Sequence, residues 1–148
     1  MKVLFLDIDG VCNHQQYYKS AYYIGNDLQY PLSEFDPLVV NRINEILDKT
    51  NAKLVLSSSW RFTDNIQNIL TKVGFTHLIY DITPYGMGKD RGYEIKAYLN
   101  SHPDITNYVI IDDINEMLQE QYSHFIQTSD EYGLTEELKN KVIKMLKV

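Results

Sequence analysis

The sequence predicts an α/β fold in which a doubly wound, mostly parallel sheet lies between two layers of helices. Two observations predict it. Short apolar runs ending in polar residues alternate with amphipathic stretches of helical period along the 148 residues. The connections are short enough for right-handed crossovers, with no repeat and no visible linker between them. A chain of this length has room for one ordinary core, so residues 1–148 are expected to form a single domain.

Each element has its own signal. Residues 2–7 are a nearly continuous apolar run closed by carboxylates, the pattern of a buried parallel strand with its polar end at the carboxyl edge. Residues 11–34 show neither period and hold Tyr17, Tyr18, Tyr22, Tyr23 and Tyr30, five of the chain's 12 tyrosines. That segment is expected to be a long loop or flap, and long loops inside compact domains are usually functional. Asp36 and Pro37 open a helix to about residue 50, with Val40, Ile43, Ile46 and Leu47 on one face.

Residues 53–56 read as a second strand that breaks into Ser57-Ser58-Ser59-Trp60-Arg61. Residues 64–73 follow as a helix stopped by Gly74. Residues 77–80 are a third strand, residues 83–88 are turn chemistry, and residues 91–100 are a helix that Pro103 cannot continue. Residues 108–111, the most β-branched run, end in Asp112-Asp113. Residues 124–127 are a weak fifth strand, and Thr135 caps a last helix with Glu136 and Glu137 in its first turn. The whole is Rossmann-like.

Composition narrows the function. Fourteen Lys and Arg against 20 Asp and Glu leave a net charge of −6, which disfavours extended duplex nucleic acid as a partner. The single cysteine, Cys12, forms no internal disulfide, so a cytoplasmic location is expected. The first apolar run is far shorter than the ~20 residues of a membrane span, and no membrane partner is expected.

In open parallel sheets, ligands bind outside the carboxyl ends of the strands. Asp7 and Asp9 follow the first strand, Ser57 the second, and Asp112 with Asp113 the fourth, while Lys89 and Arg91 precede a helix. Carboxylates gathered there need a cation. Oxygen-only ligands without His or Cys favour a hard ion, with Mg²⁺ the best match. One Asp at a strand end is usually a turn former or cap; the order of all of them is what carries the argument.

These segments resemble the four motifs of the haloacid dehalogenase-like (HAD) superfamily of phosphotransferring hydrolases. Leu6-Asp7-Ile8-Asp9-Gly10-Val11 is similar to the first and most specific motif, and Leu54-Val55-Leu56-Ser57 to the second. Lys89 and Arg91 compete for the third, and Val109-Ile110-Ile111-Asp112-Asp113 resembles the acidic-pair form of the fourth. The strings at 56–61 and 91–95 look like a narrower, capless branch, the HAD domain of Swiss Army Knife RNA repair proteins, which favours Arg91.

The resemblance implies a Mg²⁺-dependent phosphomonoester hydrolase. Asp7 would be the nucleophile that forms an aspartyl-phosphate, and Asp9 the general acid and base. Ser57, the Ser58 N–H and Gly10 would bind the substrate's phosphoryl group, with Arg91 or Lys89 balancing charge. Asp7, Asp113 and the Asp9 backbone carbonyl would hold the metal, with Asp112 supporting from behind. The second Asp points to phosphate esters rather than dehalogenation.

The intervals between motifs are too short for a large cap, so the site is expected to be open to a bulky substrate: a nucleotide, a nucleic-acid end or a phosphoprotein. The flap tyrosines would stack a base or pack the flap, packing being favoured; Trp60 is expected in the core. Arg61 would hold a second phosphate or cap a helix. A phospho-binding regulatory module and a phosphotransferase are the alternatives. A receiver domain orders its acidic residues differently.

Overall fold

In the computed structural model, which describes residues 1–25, 27–86 and 90–148, five strands form one sheet. They are β1 (Lys2–Leu6), β2 (Lys53–Leu56), β3 (Ile79–Ile82), β4 (Asn107–Asp112) and β5 (Phe125–Gln127), in the order β3-β2-β1-β4-β5. Every pairing is parallel. Strand order reverses at β1, which places β1 between β2 and β4 and opens the ligand crevice at their carboxyl ends.

Alternation along the strands feeds two apolar layers. Leu4 and Leu6 of β1 point with Leu54, Leu56, Val109 and Ile111 into the layer filled by α3 (Pro37–Thr50) and α6 (Glu136–Leu146). Val3 and Phe5 point the other way, with Val55 and Ile110, onto Ile95 and Tyr98 of α5 (Arg91–Ser101). Val3 through Leu6 are therefore wholly buried on both faces, which is why β1 reads as an unbroken apolar run.

The helices start where side chains can cap them. Asp36 accepts from the Leu38 amide at 2.9 Å with Pro37 in the first turn, and α3 ends at the left-handed Asn51. Gly74, at φ +110°, follows the end of α4 (Ile66–Lys72). The start of α5 is clamped to the segment after β4: Gly92 N donates to Glu116 O at 3.0 Å and Gln121 Nε2 to Gly92 O at 2.9 Å. A Cβ at Gly92 would come within 2.9 Å of both Gln121 Oε1 and the Glu116 carbonyl oxygen, so only glycine allows this clamp beside Arg91.

Three expectations change. The flap carries short helices, α1 (Gln15–Tyr18) and α2 (Ala21–Ile24), and a 3-10 turn at Leu32–Glu34. Four-residue helices are too short to show a period, and their caps, His14 and Ser20, come from side chains. The third strand lies two residues later than expected. As an edge strand it buries one face only, so its apolar signal is diluted. Finally, 3-10 helices at Ser59–Phe62 and Gln119–His124 show no sequence period.

Between β1 and β2 lie only the flap and α3, and no cap domain is inserted. No helix among the described residues is long and apolar enough to cross a membrane.

Candidate active site

The parallel ladder runs one residue past each central strand. Asp7 N donates to Ile111 O at 3.0 Å and Ser57 N to Leu6 O at 3.1 Å, so Asp7 is held beside Ser57 on one side and Asp112 on the other. Strand spacing alone brings these three side chains to one edge. All three are buried.

Asp7 is the centre of the charge. Arg91 Nη1 lies 3.0 Å from Asp7 Oδ1 and 2.6 Å from Asp112 Oδ2, a bridge laid by the first residue of α5. The other Asp112 oxygen accepts from Ile114 N at 3.0 Å, so both of its oxygens are taken by the protein. Asp113 is half-buried, with a carboxylate oxygen within 4.8 Å of one from Asp7. Burial, then the Asp112 charge, push the Asp7 carboxyl up to about 8, with Arg91 pulling back. Burial likewise raises Asp113. Both shifts have the same leading cause, burial of carboxylates away from water, to which the neighbouring Asp112 charge adds.

Ligand oxygens of Asp7, Asp112 and Asp113 lie within 4.8 Å of one another, the one such cluster among the described residues. An all-carboxylate donor set in which burial raises Asp7 and Asp113 fits a hard divalent cation, which would displace the proton the cluster otherwise retains. Gly10 makes room for the Asp113 carboxylate. Its φ is +77°, and a Cβ there would sit 2.2 Å from Asp113 Oδ2. Thr128 Oγ1 fixes the Gly10 carbonyl at 2.8 Å.

Ser57 supplies a different kind of signal. Its Oγ is wholly buried at the strand edge and has no hydrogen-bond partner. A buried hydroxyl left unpaired beside an anion-handling site is a ready donor to a phosphoryl oxygen. The Ser58 N–H also finds no protein acceptor among the described residues, while Ser58 Oγ accepts from Trp60 N at 3.1 Å.

Asp9 stands apart from the carboxylate cluster. Its Oδ1 accepts from Asn13 Nδ2 at 3.0 Å and its Oδ2 from Trp60 Nε1 at 3.1 Å. Trp60 is thus a core residue, as expected, that also holds Asp9. Neither Asn13 nor this role of Trp60 was legible in the sequence; an Asn four residues after an Asp, or a Trp 51 residues on, carries no pattern.

Two substrate-binding expectations are corrected. All five Arg61 N–H donors are engaged: Nε by Thr83 O at 3.0 Å, Nη1 by Ser57 O and Ser58 O at 2.9 Å each, and Nη2 by Pro84 O at 3.2 Å and Glu94 at 3.1 Å. With no donor left for a second phosphate, Arg61 builds the loop that presents Ser57 and Ser58. Gly10 is no substrate donor either, because its N–H goes to Asn13 Oδ1 at 3.0 Å. Lys89, the rival of Arg91, lies outside the described residues.

Cys12 offers no alternative nucleophile. It is wholly buried, and burial, followed by the charges of Asp7, Asp9 and Asp36, drives its thiol well above the usual range.

Comparison with known proteins returns one result. No curated protein and no solved structure matches, whereas residues 3–138 match the family described as the HAD domain in Swiss Army Knife RNA repair proteins. That match spans nearly the whole chain and includes every residue of the acidic cluster, so the chain belongs to this HAD domain family.

Proposed function

We propose that the protein is a Mg²⁺-dependent phosphomonoester hydrolase working through an aspartyl-phosphate on Asp7. The observation that carries this is the Asp7 carboxylate, set between Arg91 at 3.0 Å and Asp113, whose carboxylate lies within 4.8 Å, with the unpaired Ser57 hydroxyl on the adjoining strand. Structural salt bridges do not need an orphaned donor at their side.

Asp7 and Asp113, with the Asp9 carbonyl, would hold the cation, which when bound neutralises the phosphoryl oxygens and keeps Asp7 ionised. Asp112 acts through Arg91. An Asp7 oxygen attacks phosphorus in line, forming the O–P bond as the ester O–P bond breaks, and Asp9 delivers a proton to the departing oxygen. Ser57 Oγ and the Ser58 N–H donate to the phosphoryl oxygens as their charge grows, and Arg91 balances Asp7. In the second step Asp9 takes a proton from water, whose oxygen attacks phosphorus and releases Asp7. With no cap to seal the site, bulky substrates have access: a nucleotide, a nucleic-acid end or a phosphoprotein.

Phosphate release from an aryl phosphate tests the reading. Turnover is expected with Mg²⁺, and none with chelator or with Asp7→Asn. Acid-quenched enzyme should carry acid-stable counts from labelled substrate only when Asp7 is intact. Full activity in Asp7→Asn overturns the assignment. Transfer of the label to an added alcohol would mark a phosphotransferase, and tight phosphate-ester binding without turnover a regulatory module.

A further inference from the structure

The Asp9 carboxylate faces the flap. Asn13 and Trp60 hold its two oxygens. Its charge reaches the Tyr18 hydroxyl, which burial first, then Glu34 and Asp9, push up out of the usual range. In the reaction above, Asp9 protonates the departing oxygen, so the organic part of the substrate lies on this side of Asp7.

The flap tyrosines divide into two kinds. Tyr17 donates to the Ser33 carbonyl at 2.7 Å and Tyr18 to Glu34 at 3.2 Å, while the Tyr23 ring meets both edge-on. Those three rings pack the flap against itself. Tyr30 lies against Trp60 instead, ring centroids 6.0 Å apart, with 73% of the residue exposed. Trp60 rests in turn on the buried Phe35 at 5.4 Å. Tyr30 therefore stands on a fixed aromatic base with its outer face open.

We propose that Tyr30 is the stacking platform for the base of a nucleotide substrate, and so sets which leaving group the site accepts. This deepens the hydrolase reading and rests on it. The indole joins the two: Trp60 meets the Tyr30 ring at 6.0 Å and donates to Asp9 at 3.1 Å, so the platform adjoins the side on which the departing group lies. Charge points the same way. Arg61, next in sequence to Trp60, has every donor engaged and leaves none for a second phosphate, so a neutral planar ring is the better fit beside Tyr30.

The test is selectivity, read as kcat/KM for adenosine 5′- or 3′-monophosphate divided by that for glycerol 2-phosphate. Because it is a ratio, it does not depend on how much of a variant folds. Tyr30→Ala should lower this ratio about tenfold for at least one nucleotide, the size expected for one lost base stack. Tyr30→Phe, which keeps the ring, should restore it. An unchanged ratio overturns the inference. So does a loss found with Phe62→Ala, whose half-exposed ring sits over the Arg61 guanidinium, in place of Tyr30→Ala. A loss confined to a phosphotyrosyl peptide would overturn it as well. In all those results wild-type turnover leaves the hydrolase reading standing. Absence of wild-type turnover on every phosphate removes both.

Discussion

The indole N–H of Trp60 donates to the Asp9 carboxylate at 3.1 Å, joining the end of β2 to the end of β1 across 51 residues of sequence. Trp60 reaches that position because Ser58 caps the 3-10 turn at Ser59–Phe62 and Phe35 supports its ring edge-on. Packing and chemistry thus meet in one side chain.

Removing that hydrogen bond should slow proton transfer more than binding. Trp60→Phe keeps an aromatic ring and leaves Asp9 with Asn13 alone. The expected result is a fall in kcat of about tenfold with little change in KM. It should be larger for alkyl phosphates, whose departing oxygen needs a proton, than for nitrophenyl phosphate. Equal losses on both would show that Trp60 matters only for packing.

Arg91 binds two buried carboxylates at once. Arg91→Met leaves Asp7 and Asp112 facing each other unbalanced, which should reduce kcat/KM by about 10²- to 10³-fold, the range for loss of one preorganised donor. Metal-free stability should drop by about 3 kcal/mol, as for a broken buried ion pair. Arg91→Lys restores the charge and loses the bridging geometry, so activity should return in part. Steady-state kinetics and urea melts check both effects.

Gly10 and Gly86 make a controlled pair. Both have positive φ, +77° and +80°, but a Cβ at Gly10 meets Asp113 Oδ2 at 2.2 Å whereas one at Gly86 meets nothing within 4 Å. Each change to alanine should cost about 1–2 kcal/mol in backbone strain. Gly10→Ala alone should displace Asp113, and calorimetry should find Mg²⁺ affinity weakened tenfold or more, on the order of the effect of disturbing a ligand's surroundings.

The raised carboxyl pKa values couple stability to pH and cation. Folded Asp7, at about 8 against an ordinary 3.8, keeps its proton through a range in which the unfolded chain has lost it. The folded state then binds more protons, so metal-free stability falls as pH rises between those two values. Thermal melts with chelator should therefore show a lower Tm at pH 8.5 than at pH 5. Added Mg²⁺ should raise Tm more at pH 8.5, where fewer protons compete for the site. A cation effect that is equal at the two pH values would contradict the cluster's role.

Arg61 should behave as scaffold. Its five donors close the loop from Ser57 to Pro84 onto Glu94, and its side chain is only 3% exposed. Arg61→Ala is expected to destabilise by about 3 kcal/mol, because the carbonyls of Ser57, Ser58, Thr83 and Pro84 and the partly buried Glu94 lose their donor together. Any rise in KM should be the same for a nucleotide and a simple aryl phosphate. A rise for the nucleotide alone would restore the idea of a second phosphate site.

The alternating order of elements, and the strand ends that carry Asp7, Ser57 and Asp112, are legible in the amino-acid sequence alone. Buried parallel strands must be apolar throughout, so the first polar residue marks their end. Glycine and proline punctuation set most helix limits by equally local means.

What a side chain touches was decided by the tertiary structure. Arg61 reads as a phosphate binder or a helix cap, and it is fully engaged by backbone carbonyls and Glu94 because β2, β3 and α5 converge on it. Trp60 reads as core and also holds Asp9; Tyr30 reads like Tyr17 and Tyr18 and stays open where they are closed. Each contact joins residues distant in sequence, and a hydrogen bond or ring contact depends on positions within a few tenths of an ångström, which no periodicity encodes.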